Sequence, residues 1–179
     1  MIWNLFKRKK ANQALVGQQY AKITEAARSP VFYESMDVPD TVMGRFEMIS
    51  VHLLLYLRRT GAAGPAANGI AQEVVDAFFE DVDHSIRELG IGDMGVPKRM
   101  KKLARMFYGR IKSYGQALGE GNTDELAQAL RRNIHPDQPE TAPKMHALAD
   151  WMMRTTRELE DTQEDVLARG QLAFPPADR

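Results

Sequence analysis

Between Asp40 and Arg59 the chain carries apolar side chains on nearly every side of a helix. Val42, Phe46, Ile49, Leu53 and Tyr56 fall on one face, and Met43, Met48, Val51, Leu54, Leu55 and Leu57 widen it most of the way round. A helix apolar on most of its circumference has to be surrounded, so this segment predicts the central element of a helical bundle, with Asp40 as its cap. No other architecture accommodates it as simply.

The rest of the sequence supplies the surrounding helices. A first helix is expected from about Ala11 to Arg28, ended by Ser29-Pro30 because the residue before proline avoids the helical region. Val31 to Pro39 reads as an extended connector and Gly61 to Gly69 as a loop. Ala71, Val75, Phe78, Val82, Ile86 and Leu89 then form a stripe at helical spacing, which Gly90 is placed to end. Pro97 suits the first turn of the next helix, where Met100, Leu103, Phe107, Ile111, Tyr114 and Leu118 align. Thr123 is expected to cap a short helix to Ile134, and a last helix starts near Pro143 and breaks at Asp161-Thr162. No strand alternation of useful length and no solenoid repeat occurs. The expectation is an all-α, single-domain helical bundle of about six helices. Residues 1–10 stand apart as a basic, aromatic N-terminal segment, 11–170 form the helical domain, and 171–179 are a flexible tail.

Charge is balanced overall and segregated locally. Lys+Arg and Asp+Glu stand at 24 each, so no global field draws the chain to DNA. Residues 69–90 nevertheless hold Glu73, Asp76, Glu80, Asp81, Asp83 and Glu88 against Arg87 alone. Residues 96–118 hold Lys98, Arg99, Lys101, Lys102, Arg105, Arg110 and Lys112 with no acid. Exposed ion pairs contribute about 0–1 kcal/mol each, so pairing the two helices is a weak reason for such segregation. A surface for a charged partner explains it better.

Catalytic chemistry finds little footing. The chain has no cysteine, which removes disulfides, thiolate catalysis and cysteine-ligated metal centres. Gly90-Ile-Gly92-Asp-Met-Gly95 matches a dinucleotide fingerprint in its letters, but a helix precedes it where a strand is required. Asp81 and His84 stand at i, i+3 like half of a di-iron unit, with no second half elsewhere. No cofactor, metal or small-molecule substrate is expected, and the chain reads as a non-enzyme.

Met1 to Lys10 joins an apolar stretch with Trp3 and Phe6 to Lys7, Arg8, Lys9 and Lys10. This is the layout of a weak interfacial anchor on an anionic membrane. The longest uncharged apolar run, Met48 to Leu57, is about half the ~20 residues a spanning helix needs.

The stretch Asp76-Ala-Phe78-Phe79-Glu80-Asp81-Val-Asp83-His-Ser-Ile86-Arg87-Glu88-Leu89-Gly90-Ile-Gly92-Asp93-Met-Gly95-Val-Pro97-Lys98-Arg99-Met-Lys101-Lys102, followed by Phe107-Tyr108-Gly109-Arg110, closely resembles the ubiquinol–cytochrome c chaperone family. The likeness is strongest over roughly residues 40–120, and the compact length points to a bacterial member. The resemblance implies an all-helical, non-enzymatic assembly factor that binds newly made cytochrome b while the ubiquinol–cytochrome c reductase complex is built. Mitochondrial members of that family work with a small partner protein and associate with ribosomes. The implied place is the bacterial cytoplasm, peripheral to the inner membrane, or the matrix side in a eukaryote.

These readings combine into one expected partner-binding surface: Asp76, Glu80 and Asp83, the turn residues Ile91, Asp93 and Met94, and Lys98, Arg99, Lys101, Lys102, Arg105, Tyr108 and Arg110. Two rivals draw on the same helices differently. An RNA- or ribosome-binding module would use the bases with Phe107, Tyr108 and Tyr114. A metal-dependent helical enzyme would rest on Asp81 and His84.

Overall fold

The computed structural model describes residues 2–137 and 141–177, with side chains from Asn12 onward apart from Ala66. Its elements are α1 (Ile2–Ala27), α2 (Pro30–Glu34), α3 (Val42–Gly61), α4 (Pro65–Glu88), α5 (Val96–Glu120), α6 (Thr123–Ile134), α7 (His146–Glu160) and α8 (Glu164–Ala168). Six are long and two are single turns, and no strand occurs among the described residues. The architecture is all-α.

Helix α3 is the centre, touching α1, α4, α5, α6 and α7. Met48, Val51, Leu53, Leu54, Leu55 and Tyr56 are buried around its whole circumference, as its sequence demands. The neighbours bring Ile23, Phe78, Phe107, Leu126, Leu130 and Trp151 onto it to complete one core.

Caps and helix starts occur near the expected positions, shifted by a few residues. The cap of α3 is Thr41, whose hydroxyl accepts from the Gly44 amide at 3.1 Å, while Asp40 pairs with Arg45 at 2.9 Å. The segment 31–39 is not all extended, because Pro30 opens the single turn α2, which buries Phe32. Similarly, α4 starts at Pro65 inside the expected loop, since burying Ala67, Ile70 and Ala71 outweighs the poor helix propensity of that stretch. Asn122, not Thr123, caps α6, accepting from the Glu125 amide at 3.1 Å. The break after α7 falls where expected, and Arg59 donates to the carbonyls of Leu159 and Thr162 at that helix end.

Two expectations meet a different outcome at the ends. α1 runs unbroken from Ile2, so residues 2–10 continue the first helix. Residues 171–177 are packed rather than frayed: Leu172 is buried, and the Gln19 side chain both donates to its carbonyl at 3.0 Å and accepts from its amide at 2.9 Å. Phe174 follows with its ring centroid 4.8 Å from that of His52.

Candidate functional site

Helices α3, α4 and α5 diverge at one end of the bundle and leave a groove of about 1370 Å³. Val42, Met43, Phe46 and Ile49 come from the first turns of α3, and Phe78, Val82, Ile86 and Leu89 from the last turns of α4. Helix α5 supplies Leu103 and Met106 below a rim of Lys98, Arg99, Lys101, Lys102 and Arg105. Arg28, Tyr33, Arg132, Pro136 and Asp137 also line it.

Large apolar residues exposed elsewhere on the described surface are few. Val42 is 65% exposed, Met43 43% and Leu89 63%, and all three line the groove. Water-facing apolar residues gathered in one concavity mark an interaction site far better than the same residues scattered. The cations of the rim add charge beside this apolar area. None of the five rim residues on α5 forms an ion pair among the described residues.

Of the acids of α4, Asp76, Glu80 and Asp83 turn away from these bases, and Asp81 alone of the four lines the groove with them. Asp76, Glu80 and Asp83 gather with Phe79 and His84 on one face. Phe78, Asp81, Val82, Ser85, Ile86 and Leu89 look into the groove from the opposite face. At about 100° per residue these two sets lie roughly half a turn apart on α4. The structure therefore divides the single charged surface expected from the sequence into two surfaces of opposite sign. Asp81 is held by the Tyr20 hydroxyl at 2.7 Å, and His84 lies 3.2 Å from Glu88. No group of three or more potential metal ligands occurs among the described residues.

The turn between α4 and α5 joins the two surfaces. Arg87 reaches Asp83 at 2.7 Å on its own helix and Asp93 at 2.6 Å in the turn. The Gly95 amide donates to the Gly92 carbonyl at 2.8 Å. A β-carbon on Gly95 would meet the Ile91 methyl at 2.9 Å, so any larger residue there would have to displace Ile91. Met94 stands on this turn 98% exposed, while Ile91 is half-buried.

Tyr108 lies away from the groove, stacked on Phe79 with centroids 6.3 Å apart. Arg110 differs most from its expected exposure. Its guanidinium turns inward at the groove floor, where it is 8% exposed. There its Nε donates to Glu47 Oε2 at 2.8 Å and its Nη2 to Oε1, and Nη1 donates to the Met106 carbonyl at 3.1 Å. Burial raises the Glu47 carboxyl above the usual range, although Arg110 pulls it back. Glu47 escaped the sequence reading. Its signal was there: it is the only acid between Asp40 and Glu73, in the most apolar helix of the chain. The side chains of Trp3, Phe6, Lys7, Arg8, Lys9 and Lys10 lie outside the described residues.

The fold and the groove define an all-helical protein that offers apolar area and positive charge side by side. The chain belongs to the ubiquinol–cytochrome c chaperone family. A sequence profile described as Ubiquinol-cytochrome C chaperone matches residues 34–174, which takes in every element from α3 to α8. The chain is 25% identical over 146 residues to ubiquinol-cytochrome-c reductase complex assembly factor 1 of Xenopus laevis, covering 81% of this chain and 72% of that protein. The Mus musculus protein of that name is 22% identical over 160 residues, and the match covers 89% of this chain but only 54% of the mouse protein. Among solved structures, the crystal structure of the Cbp3 homolog from Brucella abortus superposes with a TM-score of 0.88. That protein is 49% identical, and the match covers 100% of this chain and 99% of that one.

Proposed function

We propose that this chain is a non-enzymatic assembly chaperone that holds newly made cytochrome b while the ubiquinol–cytochrome c reductase complex is built, and that the α3–α4–α5 groove receives the client. One observation carries the reading. In a family of chaperones for that complex, the exposed apolar residues Val42, Met43 and Leu89 converge on one groove edged by cations. A membrane-protein segment awaiting its partners needs such a surface, because its apolar face has to be kept from water and from other chains.

The charges would guide the encounter. Lys98, Arg99, Lys101, Lys102 and Arg105 raise the capture rate for a client of opposite sign, while the apolar floor sets how long it stays. Met94 and Ile91 extend the contact at the turn. The sequence of Trp3, Phe6 and Lys7 to Lys10 suits contact with an anionic bilayer, which would keep the chaperone where cytochrome b inserts. No helix among the described residues is long and apolar enough to cross a membrane. The 49% identity to a Brucella protein supports a bacterial origin, and the place that goes with this reading is the bacterial cytoplasm, peripheral to the inner membrane.

The ribosome or RNA alternative draws on the same cations, yet its aromatic partners are engaged elsewhere. Tyr108 stacks on Phe79 outside the groove, and Phe107 and Tyr114 are buried. The test is a pull-down of tagged protein from gently solubilised membranes of its own organism, with mass spectrometry. Cytochrome b enriched over the other reductase subunits is the expected result, lost in a V42D/L89D variant. Ribosomal RNA and ribosomal proteins without cytochrome b would replace this reading with the alternative.

A further inference from the structure

The groove is lopsided. On the α4 wall the residues that enter it are mostly apolar, and its acid, Asp81, is taken up by Tyr20. On the α5 wall, Lys98, Lys101, Lys102 and Arg105 follow one another at i, i+3, i+4 and i+7. That spacing lays the four charges in one row along the helix, about 10 Å long. The row is exposed and has no ion-pair partner among the described residues.

From this asymmetry we infer the chemistry of the occupant: an amphipathic α-helix of about three turns, apolar toward α3 and α4, with acidic residues at three- and four-residue spacing toward α5. The inference rests on the chaperone reading above and specifies the client segment. An extended segment would have to leave its backbone N–H and C=O groups on an apolar floor, with no sheet edge among the described residues to pair them. A helix satisfies those groups internally. About two turns of such a helix run the length of the cation row, and a third carries its ends past it. A linear row of cations also fits charges spread along a helix flank better than a lipid headgroup, whose charge sits at one end. Neutral or basic flanks would leave the row unmatched or repelled.

The experiment uses the purified chain and two synthetic peptides of about 16 residues, long enough to form three helical turns with frayed ends. The peptides share one apolar face and differ only in carrying Glu or Lys at the flank positions. Fluorescence anisotropy reads affinity, and circular dichroism reads peptide helicity. The expected result is that the Glu peptide binds at least about tenfold tighter and becomes helical, with affinity falling as salt rises. K101E/K102E leaves the row with two cations and two acids and no net charge, so the preference should be lost there, and in V42D/L89D both peptides should be lost. Unchanged thermal unfolding of K101E/K102E confirms that these exposed substitutions leave the fold intact.

Equal affinity of the wild-type chain for the two peptides overturns the inference, as does unweakened Glu-peptide binding to V42D/L89D. Phosphatidylglycerol vesicles that bind the chain through Lys101 and Lys102, and that the Glu peptide does not displace, overturn it in favour of a lipid. The client's identity is tested separately. Peptide discrimination without capture of cytochrome b from membranes would uphold the groove chemistry and remove cytochrome b as its client. Capture of cytochrome b without peptide discrimination would do the reverse.

Discussion

Glu47 on α3 and Arg110 on α5 close a two-pronged ion pair beneath the groove, linking the bundle's central helix to the helix that carries the cationic rim. Both side chains are almost wholly withdrawn from water. Removing one partner strands the other, and breaking such a pair costs about 3–5 kcal/mol. R110M should therefore destabilise the chain by that order, and E47M/R110M should recover much of the loss because no charge remains buried.

The same pair has a pH signature. Burial already raises the Glu47 carboxyl, and losing Arg110 removes the interactions that pull it back. A folded-state pKa above the unfolded one means the native state binds the proton more tightly, so that stability declines as pH rises through the window. The R110M deficit should be largest at neutral pH and shrink on acidification toward the usual carboxylate range. Urea unfolding of R110M and the wild type across that range checks it. A deficit independent of pH would mean that packing, not the stranded carboxylate, is responsible.

His52 should act in the opposite sense. It is buried among Phe32, Trp151 and Phe174, and its Nδ1–H donates to the Met48 carbonyl at 2.8 Å. Burial lowers its pKa to about 4 from 6.5. The unfolded chain thus takes up a proton that the native state refuses, and stability falls as pH drops from 6.5 toward 4. Complete passage through that window is worth about 3 kcal/mol. An H52L variant should lack this component of the slope, and the His52 ring proton signals should not titrate near neutral pH in NMR.

Much of this architecture is legible in the sequence, and the failures share one physical origin. Periodicity identifies α3 as central because its apolar residues leave no polar side, and the charge run of α5 announces a cationic surface. Composition does not fix the rotation of a helix about its own axis. Asp76, Glu80 and Asp83 of α4 and the bases of α5 look like partners in sequence, and only packing turns them to different faces. Arg110 and Lys112 are likewise equal members of one basic run until Glu47 selects the first for the interior. Capping errors are smaller: Asp40 and Thr41 are both competent, and the chain's entry from Pro39 decides between them.

The C-terminal strap hangs on Gln19. Its amide pairs with both backbone groups of Leu172, imitating a strand partner for a segment that has none. Q19L preserves volume but leaves a buried N–H and C=O unsatisfied, at about 1–3 kcal/mol for each group. The strap should detach before the bundle melts. Hydrogen exchange should rise sharply at Leu172 in Q19L while the core of α3 stays protected. Equal acceleration throughout the chain would mean that the strap unfolds only with the whole.

Gly44 links backbone geometry to the groove itself. It lies in the first turn of α3, and a β-carbon there would sit 1.8 Å from the Pro39 carbonyl oxygen. Backbone cannot yield as a flexible side chain would, so G44A must displace either the connector or the first turn. Such overpacking costs about 1–3 kcal/mol. That first turn also presents Val42 and Met43 to the groove, so the displacement should reach the binding surface. G44A is expected to unfold at lower urea and, while still folded, to bind the acidic amphipathic peptide several-fold more weakly than the wild type. G17A is the control, because a β-carbon on Gly17 meets nothing within 4 Å. It should bind as the wild type does and lose no stability. A G44A protein with reduced stability but full affinity would show that the connector absorbs the strain and that the entrance of the groove does not depend on this turn.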